Sequence, residues 1–405
     1  MRQLSRRSVR LPIQKSLNIL NMNALVTYMK NSTSPVLINR YWFPIIIVLT
    51  VLTRIPFLCS GYGADGDAWR VANSASVLWN TGVYHESRLP GYPLHEIISA
   101  PFVGLGGAPL SNAATLVATL IAIIVWNRIS QQVGQHKKML VIAFAFAPVV
   151  WQHSAVTLDY MWSLLFILVS LFALFRQRIL LAGIALGISA GFRPSNFVAI
   201  VPLLLLLYLP KQNIKHVLVF ILSAITVSVG AFTPLIMKYG IPGWFIATQQ
   251  EMSDVHPQLA MRCIAFFYRT IYFIGPLASI IVGYVFWKGK DDIMTSVRSH
   301  DPIVVTSIVG VVTFLLLFLW LPLERAYLLP ILPFLLLLVD RFSSQRVFML
   351  FTVFFVLSAL ISFDVIDART RRTFKLNIHP GMVIEELIIR KELLYEQSDR
   401  FKYVP

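Results

Sequence analysis

Apolar residues run along the chain in long, nearly unbroken stretches, and polar residues gather in the gaps between them. A helix needs about 20 apolar residues to cross a bilayer, and residues 41–60 meet that length. Further spans fall near 138–156, 158–176, 179–191, 197–210, 215–237, 263–287, 302–322, 326–340 and 346–363. Residues 111–126 also read as a span. Residues 93–107 are short and bounded by Pro101 and a Gly-Gly pair, which predicts a re-entrant or incomplete crossing. The pattern predicts an all-α polytopic bundle of about eleven transmembrane helices. A different periodicity appears in the polar stretch 61–100. There Trp69, Val71, Ala72, Ala75, Val77, Leu78 and Trp79 recur at mixed three and four spacing, the mark of an amphipathic helix on the membrane surface. A second amphipathic stretch, 383–395, reads as a surface helix in the tail.

Composition supports this reading. The 405 residues are 57% hydrophobic and only 13% charged, too little polar surface to cover a water-soluble fold. One membrane domain, 41–363, therefore follows a basic segment, 1–40, and precedes a tail, 364–405. The net charge of +16 is spread over short loops rather than gathered in one stripe, so it points to membrane orientation and anionic lipid, not to nucleic acid.

Charge also sets the topology. The basic start, Arg128 with Lys137 and Lys138, Arg176 with Arg178, Lys211 with Lys215, Lys288 with Lys290 and Arg298, and Arg341 with Arg346 all share one side, the cytoplasmic one. This places the loops 61–100 and 239–262 on the lumenal or extracytoplasmic face of a plasma, inner or endoplasmic reticulum membrane. The exception is the tail, where Arg369, Arg371, Arg372 and Lys375 follow the last span on the outer side.

The outer face collects the chemistry. Asp65 and Asp67 form an Asp-x-Asp pair, suited to general base work or to a divalent cation such as Mg or Mn, and equally suited to capping the surface helix. Asp159 is a second carboxylate at a span boundary, a candidate acceptor group or metal partner of Asp67, with a helix cap as its plain alternative. Arg88, Arg193 and Arg325 end apolar or turn segments where a guanidinium can hold a lipid-linked phosphate or snorkel to headgroups. Tyr92, His95, Glu96 and His153 are auxiliary or acceptor candidates; Glu251, Asp254, His256, Arg262 and Glu324 complete the outer set. The sequence has no phosphate-binding loop or dinucleotide fingerprint, and Cys59 and Cys263 have no metal spacing.

Three stretches together resemble a known family. Residues 67–72 (DAWRVA), 78–84 (LWNTGVY) and 87–94 (SRLPGYPL) are similar to the first outer loop of GT-C glycosyltransferases, the membrane enzymes that include protein O-mannosyltransferases and aminoarabinose transferases. Residues 154–162, 186–196 and 325–337 resemble later family segments in the expected order. The resemblance implies a GT-C bundle that transfers a sugar, a hexose such as mannose, from a polyprenyl- or dolichyl-phosphate donor to a protein, lipid or glycan acceptor. It implies Asp67, with Asp65 in reserve, as the acidic position, and Arg193 and Arg325 near donor phosphate. The sequence departs from the family in having Ala68 rather than Glu after Asp67. The competing reading is a transporter or flippase of lipid-linked sugar, or a noncatalytic subunit. Transporters place charges near the bilayer midplane, whereas these acids cluster at one boundary.

Overall fold

A computed structural model describes residues 35–211, 213–253, 258–366 and 374–400. The basic stretch before residue 35 lies outside the described residues, as do Asp254, His256, Arg369, Arg371 and Arg372. The chain divides into a small unit, Met1–Leu49, whose described part is the start of the helix Pro35–Leu58, and a large unit, Thr50–Pro405, which holds everything discussed below.

The protein is an integral membrane protein built of helices. Among the described residues, four helices are long and apolar enough to cross a bilayer: Tyr41–Leu58, Pro93–Val133, Ile214–Glu251 and Pro302–Trp320. A fifth crossing comes from Leu259–Ile274 with Pro276–Lys288 if the pair is one span, although the two turn by 92° at Gly275. Tyr160–Phe175, Ile179–Phe192, Pro194–Pro210 and Gln345–Leu357 are apolar but shorter.

Several boundaries differ from expectation for identifiable reasons. Residues 93–107 end at a kink: the stretch Pro93–Val133 is two helices that meet at Gly107, whose backbone is non-helical (φ 60°, ψ −146°), so the Gly-Gly pair divides it where the sequence puts the boundary. The expected outer loop 239–262 is largely helical, because Ile214–Ser253 breaks at Gly240 (φ 63°, ψ 162°) and then winds on. The expected span 138–156 is two helices, Lys137–Ala145 and Pro148–His153, divided where Pro148 cannot continue the first. After Gln345–Leu357 the chain forms an antiparallel hairpin, Ile361–Ile366 with Phe374–Pro380, and then the helix Met382–Arg400.

Close packing positions the site. Gly183, Gly187 and Gly191 recur every fourth residue of Ile179–Phe192 and lie against Ser223, Val227 and Ala231 of Ile214–Ser253. Small residues let two helix backbones approach where lipid offers no hydrophobic drive to associate. The helix Gly66–Thr81 buries Ala68, Val71, Ala72 and Ala75, and its Ala72 and Ala75 pack against Ala100 and Val103 of Pro93–Val133. The amphipathic helix is present where the spacing places it, with its narrow alanine face inward and Trp79 half exposed.

Candidate active site

The helix Gly66–Thr81 begins at the outer loop with Asp65 as its N-cap, whose carboxylate accepts the Asp67 amide at 2.9 Å. Capping therefore occupies one oxygen of Asp65 and leaves Asp67, in the first turn, facing outward from the helix start. Asp67 Oδ2 meets Arg88 Nε at 2.9 Å, and Asp67 Oδ1 lies 3.4 Å from Arg70. Arg88 continues to Asp159, with Nη2 at 3.4 Å from Oδ1, while Arg193 Nη1 holds Oδ2 of the same carboxylate at 2.8 Å. Asp159 is fully buried, and both of its oxygens are taken by arginines. The pairing of Asp67 with Asp159 as metal ligands is thereby replaced by an Asp67–Arg88–Asp159–Arg193 chain.

Aromatic rings enclose the two cations. Tyr92 lies 4.1 Å below the Arg88 guanidinium, and Arg193 sits 4.3 Å from the Tyr160 ring and 4.6 Å from the Tyr327 ring. Such stacking suits a weakly hydrated guanidinium in a buried place. Arg88 also keeps one buried nitrogen, Nη1, without a hydrogen-bond partner.

The turn that carries Arg88 is held from several sides. Gly91 adopts φ +90°, and a Cβ there would stand 2.3 Å from Leu235 Cδ1. Trp244 Nε1 donates to the Pro90 carbonyl at 2.7 Å, Glu251 accepts the Leu89 amide at 3.1 Å, and Lys238 pairs with Glu86 at 2.7 Å. Glu96 is buried and accepts from the Ser87 amide at 2.7 Å and from the Tyr84 and Ser87 hydroxyls. It staples the loop rather than facing a ligand. His95 is buried too, with Nε2 3.5 Å from Ser99 Oγ and its ring against Phe192.

Two cavities flank the arginine chain and share no lining residue. One, about 250 Å³, is apolar: Phe314, Leu317, Phe318 and Trp320 line it, and Arg193, Tyr92 and Tyr327 close one end. The other, about 390 Å³, is polar and contains Asp65, His153, Glu324 and Arg325. Arg193 and Arg325, both expected near the donor phosphate, line different cavities, and Arg325 Nη2 is 4.0 Å from Glu385. His153 packs its ring 4.8 Å from Tyr160.

Glu324 is the acid whose importance its sequence position did not reveal. It accepts a hydrogen bond from the Tyr160 hydroxyl, and one of its carboxylate oxygens joins Asp65 and Asp67 in a group whose ligand atoms lie within 4.8 Å of one another. These three carboxylates fit a divalent cation better than any set containing Asp159. Burial pushes the carboxyls of Asp65 and Glu324 above the ordinary range, and for Glu324 the Asp65 charge adds to it.

The tail forms the expected helix, Met382–Arg400, and one face of it is tied into the site. Arg390 is buried and donates to the Phe57 and Ala155 carbonyls at 3.1 and 2.9 Å. It also pairs with Glu386 at 2.7 Å. Glu386 accepts the Ala64 amide and Gln152 Nε2, each at 3.0 Å. The Glu386/Arg390 spacing on an amphipathic stretch was the available signal, but i,i+4 pairs ordinarily belong to solvated faces.

No protein-family model and no curated protein sequence matches the chain. Two solved structures do share its fold: ArnT from Cupriavidus metallidurans bound to undecaprenyl phosphate, with a TM-score of 0.57, and the same protein in the apo state, with a TM-score of 0.55. Identity is 13% and 14%, over 75% and 76% of this chain. The chain spans 61% of ArnT in both comparisons. The likeness establishes a GT-C membrane fold.

Proposed function

We propose that this GT-C-fold chain is a membrane glycosyltransferase that moves a sugar from a polyprenyl- or dolichyl-phosphate donor to an acceptor hydroxyl at the outer or lumenal face. The observation that carries this reading is the buried arginine chain set between an apolar cavity and a carboxylate group. A lipid-linked phosphate has an apolar tail and an anionic head, and the apolar cavity with Arg193 at its end offers a complement to each. The fold is also that of ArnT, whose structure holds undecaprenyl phosphate.

In this reading Asp67 is the base. It takes the proton of the acceptor hydroxyl as the acceptor oxygen bonds the anomeric carbon, and the bond from that carbon to the donor phosphate oxygen breaks. The phosphate leaves with the bonding electrons, and Arg193 together with the unpartnered Nη1 of Arg88 holds its charge. Asp159 positions both guanidiniums and does not touch substrate. A divalent cation bound by Asp65, Asp67 and Glu324 would supply further charge neutralisation at the donor. A flippase would carry its charges toward the bilayer midplane, whereas Asp65, Asp67 and Glu324 gather at the helix starts and turns of one face.

The test uses purified protein with radiolabelled undecaprenyl- and dolichyl-phosphate sugars and a membrane extract as acceptor source. Wild type transfers label, and Asp67→Asn loses at least about 100-fold, the usual scale of a general base. Absence of transfer from every donor overturns the assignment; full activity of Asp67→Asn overturns the role of that residue.

A further inference from the structure

The polar cavity has a wall that the donor reading does not use. Its carboxylates are not all at the reacting end: Glu385, on the helix Met382–Arg400, faces it beside Arg325, and Arg269 enters from Leu259–Ile274. The wall is also fixed in place. Through Glu386 and Arg390 that helix is tied to the Ala64 amide next to Asp65, to Gln152, and to the carbonyls of Phe57 and Ala155. A helix anchored by a buried ion pair to three separate segments presents Glu385 at a defined distance from Asp65.

We infer that this cavity is the acceptor subsite and that it takes a polyhydroxylated, uncharged head group, a glycan, with Glu385 as a specificity-determining residue. This rests on the glycosyltransferase reading above. Both charge signs line the space, Asp65, Glu324 and Glu385 against Arg269 and Arg325. A sugar hydroxyl donates to a carboxylate and accepts from a guanidinium in one contact, so a polyol satisfies both kinds of wall. An anionic head group would face four carboxylates, Glu386 included, against two guanidiniums, and a hydrocarbon chain would leave every polar group unmatched. His153 supplies an independent sign of a missing ligand: it is nine-tenths buried, it lines the cavity, and its Nδ1 has no partner. The rings of Tyr268 and Tyr272, 4.4 Å apart and tilted by 35° to each other, stand in the same wall and give it an aromatic part beside the charged groups.

The experiment is saturation-transfer NMR on the full chain in nanodiscs, with mannobiose, a serine- and threonine-rich peptide, and glycerol phosphate as separate probes. Mannobiose receives saturation, and the other two bind about tenfold or more weakly, a difference of about 1.4 kcal/mol. Glu385→Trp, which fills the cavity, abolishes the mannobiose signal, and Glu385→Gln, which keeps the shape, weakens it. Undecaprenyl phosphate binding is measured alongside and is unchanged in both variants, which also shows that they are folded. The inference is overturned if mannobiose gives no signal, if its signal survives Glu385→Trp, or if the peptide or glycerol phosphate binds best. Failure of wild type to bind undecaprenyl phosphate while mannobiose behaves as described removes the donor reading and supports the polyol site by itself.

Discussion

Arg88 Nε lies 2.9 Å from Oδ2 of Asp67, and the same guanidinium reaches the buried Asp159 at 3.4 Å. One cation thus couples the half-exposed carboxylate at the helix start to a carboxylate with no access to water. Asp159 cannot shed its charge to solvent, so it fixes the arginines, and the arginines in turn fix the side of Asp67 that remains open. The consequence is that positions far apart in the sequence act as one electrostatic unit.

That unit predicts a non-additive stability pattern. Arg193→Met leaves Asp159 with only the longer Arg88 contact and destabilises the protein by about 3–5 kcal/mol, the range for stripping one partner from a buried pair. Arg193→Met combined with Asp159→Leu removes both charges and restores most of that loss. Unfolding of the two purified variants in detergent decides the matter, and a double variant no more stable than the single one contradicts the coupling. Binding of undecaprenyl phosphate stays weak in both, because the guanidinium at the apolar cavity is gone.

A second prediction concerns the turn beneath Arg88. Gly91→Ala suffers twice: its φ of +90° is strained for an L side chain by about 1–2 kcal/mol, and its methyl would stand 2.3 Å from Leu235 Cδ1. Gly91→Ala with Leu235→Ala relieves the overlap but keeps the backbone strain and empties a fully buried leucine site at about 2–5 kcal/mol, so the double variant does not recover stability. Gly66→Ala is the control, because nothing lies within 4 Å of that position and alanine favours a helix. Thermal unfolding of the three variants should rank Gly66→Ala first and both variants that carry Gly91→Ala below it.

The elements at the membrane boundary were legible in the sequence to the extent that one segment dictates them. The apolar runs located the helices, and Asp65 with Asp67 marked the start of a surface helix that capping chemistry requires. Arg88, Asp159 and Arg193 were on the expected face, but their joining into one chain depends on packing between distant helices. Glu324 and Arg325 show the limit most clearly. They are adjacent in sequence, yet Glu324 bonds Tyr160 and Arg325 turns to Glu385. The tail helix stands where its spacing puts it, but a helix with Glu386 and Arg390 one turn apart looks the same in sequence whether that face meets water or the Ala64 and Phe57 backbone. Arg54 was hidden by its setting, a single charge in an apolar run whose partners, Ser154 and the Ala145 carbonyl, lie across the bundle.

The polar cavity predicts opposite pH responses at two carboxylates outside the spans. Burial raises the Asp65 carboxyl, so ionising it costs the fold stability; that cost grows above the unfolded value near about 4 and is complete above the folded one. Asp65→Asn keeps a good N-cap and raises the melting temperature at pH 7, with the gain fading as pH falls. Glu386 is depressed: burial opposes ionisation, but Arg390, Gln152 and the Ala64 amide outweigh it. Its contribution is present above the unfolded value and is lost as pH falls through the folded one. Glu386→Gln therefore lowers the melting temperature at pH 7 and has little effect in acid. Melting curves across that pH range that show the same sign for both variants would contradict the assignment.

The last prediction tests whether close helix contact, rather than any polar group, sets the distance between the site's two halves. Ile179–Phe192 ends one residue before Arg193, and Ile214–Ser253 carries Lys238 and Trp244, which hold the turn bearing Arg88. Between them a Cβ at Gly187 would meet Val227 Cβ at 2.6 Å and the Ala224 carbonyl at 2.7 Å, and the second of these is backbone that a rotamer change cannot move aside. Gly187→Leu must therefore push the helices apart, at a cost of about 1–3 kcal/mol from overpacking. Separation draws Arg193 away from the Arg88 turn, so undecaprenyl phosphate affinity falls together with stability, although neither helix contact touches the ligand. Gly230→Ala, on the partner helix with nothing within 4 Å, leaves both unchanged. If Gly187→Leu loses stability but binds the lipid phosphate as wild type does, the arginines are aligned by their shared Asp159 alone and the helix spacing is free of the site.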